Sequence, residues 1–155
     1  MEYDLVAVLN EWRSIDRSRL LENSDRGFEF RIKIQKAAFL LHHLKIKPFD
    51  RIDFNQYLHG PYAPELARAY FKGKPLEFEA GEDVIGKLKK FMDHDNVWLE
   101  IATSTLLTYE LYPDISRDEA LDVVQLSKPW VKKDDFDKIY KYLVNEGLIA
   151  AERLA

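Results

Sequence analysis

The chain contains no cysteine, which excludes disulfides, thiolate nucleophiles, iron–sulfur clusters and cysteine-based zinc sites. Long apolar runs are missing as well. Charges interrupt every stretch before it reaches the roughly 20 residues that a membrane-spanning helix needs, so no membrane is expected among the partners. The acidic start, Met1-Glu2-Tyr3-Asp4, leads into a short apolar run without the basic flank of an export signal, and a cytoplasmic location is expected. There is no internal repeat, low-complexity linker or phosphate-cradling glycine loop, and the six Gly and six Pro fall singly or in short turns.

What is present suits one core. At 155 residues, 46% hydrophobic and 32% charged, the chain can bury roughly 70% of its unfolded surface. A single domain spanning 1–155 is expected, mainly α, with about six helices and a minor short β-hairpin or strand pair. Leu5, Leu9, Trp12 and Ile15 recur at helical spacing and predict a first helix ending before the polar stretch Glu22 to Gly27. A second runs from about Phe28 to Leu44, short of Pro48. Ile52 to Leu58 alternates as a strand does, and His59-Gly60-Pro61-Tyr62 reads as a turn. Pro64 suits the first position of a helix reaching Phe71, and Leu76 to Glu79 suits a second short strand. Further helices are predicted from Glu82 to about Met92, Val97 to Tyr112, Arg117 to Leu126 and Phe136 to Glu146. Ser116 and Glu119 have capping-box spacing, and Gly147 followed by Leu148 and Ile149 has the pattern of a helix stop.

Charge is unevenly distributed. Residues 26–51 carry seven basic groups against two acidic ones, in a chain of net charge −4. Such a segment is either a solvated helix face or a surface for phosphates or an acidic partner. Two of the predicted helices are nearly apolar all round. On the second, Lys36 and His43 share a stripe flanked by Ile32, Phe39 and Leu40; on the helix from Val97, Glu100 projects between Leu107 and Leu111. A lone buried charge is costly, so Lys36 and Glu100 are expected to meet, directly or through Gln35, His43 or a tyrosine hydroxyl. Gln35, Lys36, His43 and Glu100 therefore form a candidate buried polar cluster, structural or ligand-binding.

Catalytic apparatus is not evident. Adjacent His42 and His43 point about 100° apart on a helix and do not chelate one ion together. No serine stands in a nucleophile-elbow context, and paired carboxylates such as Asp134-Asp135 sit where helices begin. No enzyme activity, catalytic residue, metal or cofactor is expected.

Three blocks carry a family resemblance. Lys33-Ile34-Gln35-Lys36-Ala37-Ala38-Phe39-Leu40-Leu41 resembles the Lys-Leu-Gln-Lys block opening the Panacea, or SocA-like, antitoxin domain and the related YwgA-like proteins of bacteria and archaea. Tyr57-Leu58-His59-Gly60-Pro61-Tyr62-Ala63-Pro64-Glu65-Leu66 is similar to that family's Tyr-Gly-Pro-Tyr-Ser motif, with His59 where an aromatic or hydrophobic residue is usual before Gly-Pro and Ala63 in place of the capping Ser. Trp98-Leu99-Glu100-Ile101-Ala102-Thr103 is similar to the Leu-Glu-x-x-Ala-Thr block of the YwgA-like branch. A Lys near 128 and a terminal Gly-Leu-Ile also fit, so the similarity spans about residues 28–150.

The resemblance implies a small helical protein that binds other proteins, with SocA-like members acting as antitoxins and as adaptors delivering a toxin to a protease. A toxin or a protease component is the expected partner. Tyr57, His59, Gly60, Pro61 and Tyr62 form the candidate interaction turn, with Tyr70 and Phe71 nearby. The alternative is a nucleic-acid-binding regulator using a winged-helix-like end, Phe136 to Arg153. Its final helix, Phe136 to Glu146, balances Lys138 and Lys141 against Asp137 and Glu146 and so lacks the positive surplus of a recognition helix. Nothing in these motifs specifies an oligomeric state.

Overall fold

Ser24 starts the longest helix: its hydroxyl accepts the Gly27 N–H at 3.1 Å, satisfying a donor that the first turn leaves free. A computed structural model of the chain describes residues 1–150. In chain order its elements are β1 (Glu2–Asp4), α1 (Leu5–Glu11), α2 (Asp25–His43), β2 (Asn55–Tyr57), β3 (Gly60–Tyr62), α3 (Pro64–Phe71), β4 (Glu77–Glu79), α4 (Glu82–Met92), α5 (Asn96–Leu111), α6 (Arg117–Ser127) and α7 (Lys133–Asn145). Helices dominate and the strands form only two antiparallel pairs, so the fold is mainly α. No helix among the described residues is long and apolar enough to cross a membrane.

Helices α2 and α5 are the centre of the molecule. Every residue from Ile34 to Leu41 on α2 is buried, as is every one from Ile101 to Tyr109 on α5. The hydroxyls along α5 do not disturb this burial. Thr103, Thr105 and Thr108 donate to the carbonyls of Leu99, Ile101 and Ser104 one turn back, at 2.7, 2.7 and 2.8 Å, so each is satisfied within its own helix. Helix α5 packs on α2, α6 and α7, and β3 lies against both α2 and α5.

Several boundaries differ from the pattern-based expectation. Helix α1 stops at Glu11, and Arg13 turns left-handed at φ 63°. The N–H groups of Arg13 and Ser14 then close the end onto the carbonyls of Asn10 and Leu9. Ile15 is buried after this turn, so its helical spacing reflected burial without helical continuity. Helices α2 and α7 each begin three residues earlier than the apolar periodicity showed, because the first turn is polar. The strand expected over Ile52 to Leu58 contracts to β2. Phe54 instead packs edge-on to Phe39, with ring centroids 5.3 Å apart.

The turn expected over His59 to Tyr62 is largely strand. Strand β3 pairs with β2 in the register Asn55–Tyr62, Gln56–Pro61 and Tyr57–Gly60, which leaves Leu58 and His59 as a two-residue hairpin turn. Strand β4 pairs with β1, Tyr3 facing Phe78, at a sequence distance no local pattern reports. At the far end, Gly147 at φ 74° ends α7. Its N–H and that of Leu148 bond to Val144 and Leu143, closing the six-residue loop typical of a glycine stop. Leu148–Ala150 carry no strand, and the remainder of the expected wing, to Arg153, lies outside the described residues.

Candidate functional site

The β2–β3 hairpin is held from below by two buried lysines. The Lys36 ammonium, from the middle of α2, donates to the carbonyl of His59 at 2.8 Å. Lys128, the C-cap of α6, donates to the carbonyl of Leu58 at 3.3 Å. Both side chains are 1% exposed, so each trades water for a backbone acceptor of the turn. Gln35, one residue before Lys36, accepts the N–H of Ala63 at 2.9 Å and donates to the Ala63 carbonyl at 3.1 Å. This two-pronged clamp satisfies both backbone groups of Ala63 where β3 enters α3, while the first turn of α3 carries no side-chain cap. Gly60, at φ 103°, lies against α5, and a Cβ there would come within 3.3 Å of Thr103 Oγ1. Gln56 reaches the same helix, donating to Ser104 Oγ at 3.3 Å.

Lys36 and Glu100 share this site without touching. No direct hydrogen bond or ion pair joins them; the Nδ1–H of His59 donates to Glu100 Oε1 at 3.2 Å, while the His59 backbone carbonyl accepts from the Lys36 ammonium. A carboxylate only accepts, which assigns the proton to Nδ1. The expected intermediary was Gln35, His43 or a tyrosine, and the actual one is the histidine of the turn. Burial pulls the Lys36 ammonium down from 10.5 to about 8, against the pull of Glu100 in the other direction and with a further push down from Lys128. Burial likewise lowers Lys128, again opposed by Glu100. One carboxylate thus supports two desolvated cations at a distance.

Beside the turn opens a cleft of about 540 Å³, between the start of α2, the hairpin and the start of α5. Lys36, His59 and Glu100 line it, and Phe28, Val97 and Trp130 add apolar surface. Phe28 is 44% exposed, Val97 59% and Trp130 49%, while Leu58 at the hairpin tip reaches 79%. Phe28 also meets the His59 ring edge-on at 5.4 Å. Tyr57 is exposed and packs edge-on against the half-buried Tyr62, and His59 is exposed beside them, whereas Gly60 and Pro61 of the candidate turn are buried against the helices beneath. Tyr70 does not join them. It is buried, and burial raises its phenol to about 12, with the Gln35 amide nearby acting in the opposite sense.

His43 belongs to a different cluster. Glu110 bridges both adjacent histidines, with Oε1 3.1 Å from His42 Nε2 and Oε2 2.8 Å from His43 Nδ1. The remaining ring nitrogens face the carbonyls of Phe49 at 2.9 Å and Leu148 at 2.8 Å. The two rings diverge as their helical spacing requires, and a carboxylate from α5 spans the gap. The basic surplus of residues 26–51 is likewise dispersed. Lys36 is internal, and Arg31 is committed to the carbonyls of Leu20 and Glu22 at 2.8 and 3.0 Å.

The chain matches no protein-family model, no curated protein and no solved structure. The site is therefore read from its own geometry. That geometry orients a turn, presents apolar side chains and, among the described residues, leaves Glu100 Oε2 without a protein donor beside an open cleft. Sequence reasoning missed the bridging role of His59 and the grip of Lys128. The resemblance marked a Lys near 128, but only its place immediately after an amphipathic helix and before Pro129 hinted at a structural role.

Proposed function

We propose that this chain is a non-enzymatic protein-interaction module of the antitoxin or adaptor kind, and that the Leu58–His59 turn with the adjoining cleft is its contact surface. The observation that carries the reading is Leu58, a 79% exposed apolar side chain on a turn whose two carbonyls are each held by a buried ammonium. Burying two lysines to fix two surface carbonyls is costly for stability alone. A turn fixed in this way loses little conformational freedom on binding, so its apolar tip contributes more of its burial energy to association. The partner is a toxin or a protease component, following the family resemblance of the Lys33–Leu41 and Tyr57–Pro64 blocks.

Co-expression with the product of the neighbouring gene tests this. Wild-type chain should relieve growth arrest and co-purify the partner, and Leu58→Asp should do neither while keeping the wild-type melting temperature. Capture by Leu58→Asp at the wild-type level would rule out this surface, and no rescue or capture by the wild type would reject the antitoxin reading. For the nucleic-acid alternative, α7 sets Lys133, Lys138 and Lys141 against Asp134, Asp135 and Asp137. No charge surplus favours it.

A further inference from the structure

The cleft beside the turn has a chemical character of its own. Its charged lining is mostly acidic: Asp25, Glu29 and Glu100 outnumber Lys36, whose ammonium already donates to the His59 carbonyl. Phe28 and Trp130 contribute half-exposed aromatic rings to the same lining. Glu100, its side chain 13% exposed, uses Oε1 for His59 and, among the described residues, has no protein donor on Oε2. Among the described residues, Glu29 has only a loose, exposed contact with Arg26 at 3.6 Å, and Asp25 has no ion-pair partner. Aromatic faces beside carboxylates with spare acceptor capacity attract a cation, and a planar guanidinium satisfies both at once by stacking and by charge-assisted hydrogen bonds.

We propose that this cleft receives a basic side chain, best an arginine, of the partner protein, with Glu100 as its carboxylate acceptor and Phe28 and Trp130 as its aromatic walls. The inference rests on the interaction reading above and adds the chemistry of the partner: a basic anchor beside an apolar residue that covers Leu58. Charge complementarity decides the occupant. An acidic segment entering the cleft would meet Asp25, Glu29 and Glu100 in its lining, while the cations near them are already engaged, Lys36 and Lys128 with the turn carbonyls and Arg26 with Glu29.

The test is an NMR titration of the intact, isotope-labelled chain, following the indole N–H of Trp130, assigned by Trp130→Phe. The probes are N-acetyl-argininamide, neutral N-acetyl-glutaminamide and anionic N-acetyl-glutamate. A saturable shift with the arginine probe and none with the other two is expected. Glu100→Gln should weaken that binding about tenfold, as loss of a charge-assisted contact does. Asp25→Asn, at an exposed position that does not support the hairpin, should weaken it about twofold. An equal response to the glutamine probe, a preference for the glutamate probe, or unchanged affinity in both variants would overturn the proposal. Leu58→Asp should leave arginine binding intact. Partner capture through Leu58 without arginine binding would therefore reject this inference alone, and arginine binding without any partner capture would reject only the antitoxin reading.

Discussion

The ammonium of Lys36 lies 2.8 Å from the backbone carbonyl of His59, and the ring of that same histidine lies 3.2 Å from Glu100. Two charged residues on two central helices are thereby coupled through one residue of a surface turn. Disturbing either charge disturbs the presentation of the turn, so stability and surface geometry are linked at this point of the fold.

Lys36→Ala should cost about 3–5 kcal/mol, since it leaves a cavity in α2 and an unpaired carbonyl in the turn. Lys36→Met keeps the volume and removes the buried charge, and should stay within about 2 kcal/mol of wild type. Urea denaturation of both variants at neutral pH checks this ordering. The pH dependence separates charge from volume. With the native ammonium at about 8 and the unfolded one near 10.5, the unfolded chain binds the extra proton between those values. The stability of wild type relative to Lys36→Met should therefore rise as pH increases from 8 towards 10.

Burial by itself would raise the Glu110 carboxyl, but hydrogen bonds from His42 and His43 overcome it and hold the group at about 2. In return, the bond to Glu110 raises His42 despite its partial burial. The carboxylate contribution is complete above 4.5 and fades as pH falls towards 2. The His42 contribution is complete below 6.5 and fades as pH rises through its elevated native value. Glu110→Gln should accordingly be most destabilising between pH 4.5 and 6.5, by about 2 kcal/mol. Its deficit should shrink on both sides of that window, measured by denaturation from pH 3 to 9.

Gly60→Ala places a side chain at φ 103° and a Cβ 3.3 Å from Thr103 Oγ1. A loss of about 1–3 kcal/mol is expected, mostly from the backbone conformation. Adding Thr103→Ala should recover only the contact part of that loss. Thermal melts of the single and double variants distinguish the two contributions.

Helix α2 ends like α7, but with Lys45 at φ 65° in the left-handed position that Gly147 fills at the other site. The N–H groups of Lys45 and Ile46 close onto His42 and Leu41 at 3.0 and 2.9 Å. Lys45→Gly should stabilise the protein by about 0.5–1 kcal/mol, the left-handed cost of a side chain less the entropy a glycine adds to the unfolded chain. A higher denaturation midpoint with an unchanged slope is the expected result.

Local chemistry was legible in the residue order. The Ser116–Glu119 capping box, the Gly147 stop, Pro64 opening α3 and the apolar surrounds of Lys36 on α2 all follow from spacing within one or two turns, and they recur in the structure. Those signals determined a mainly helical protein with a charge trapped on its central helix. Tertiary structure alone decided where that charge goes. The Lys36–His59, Lys128–Leu58, Gln35–Ala63 and His43–Glu110 contacts join residues 23 to 70 positions apart. Periodicity reports which side of a helix is buried, but the acceptor a buried donor finds is set by whichever segment packs across from it.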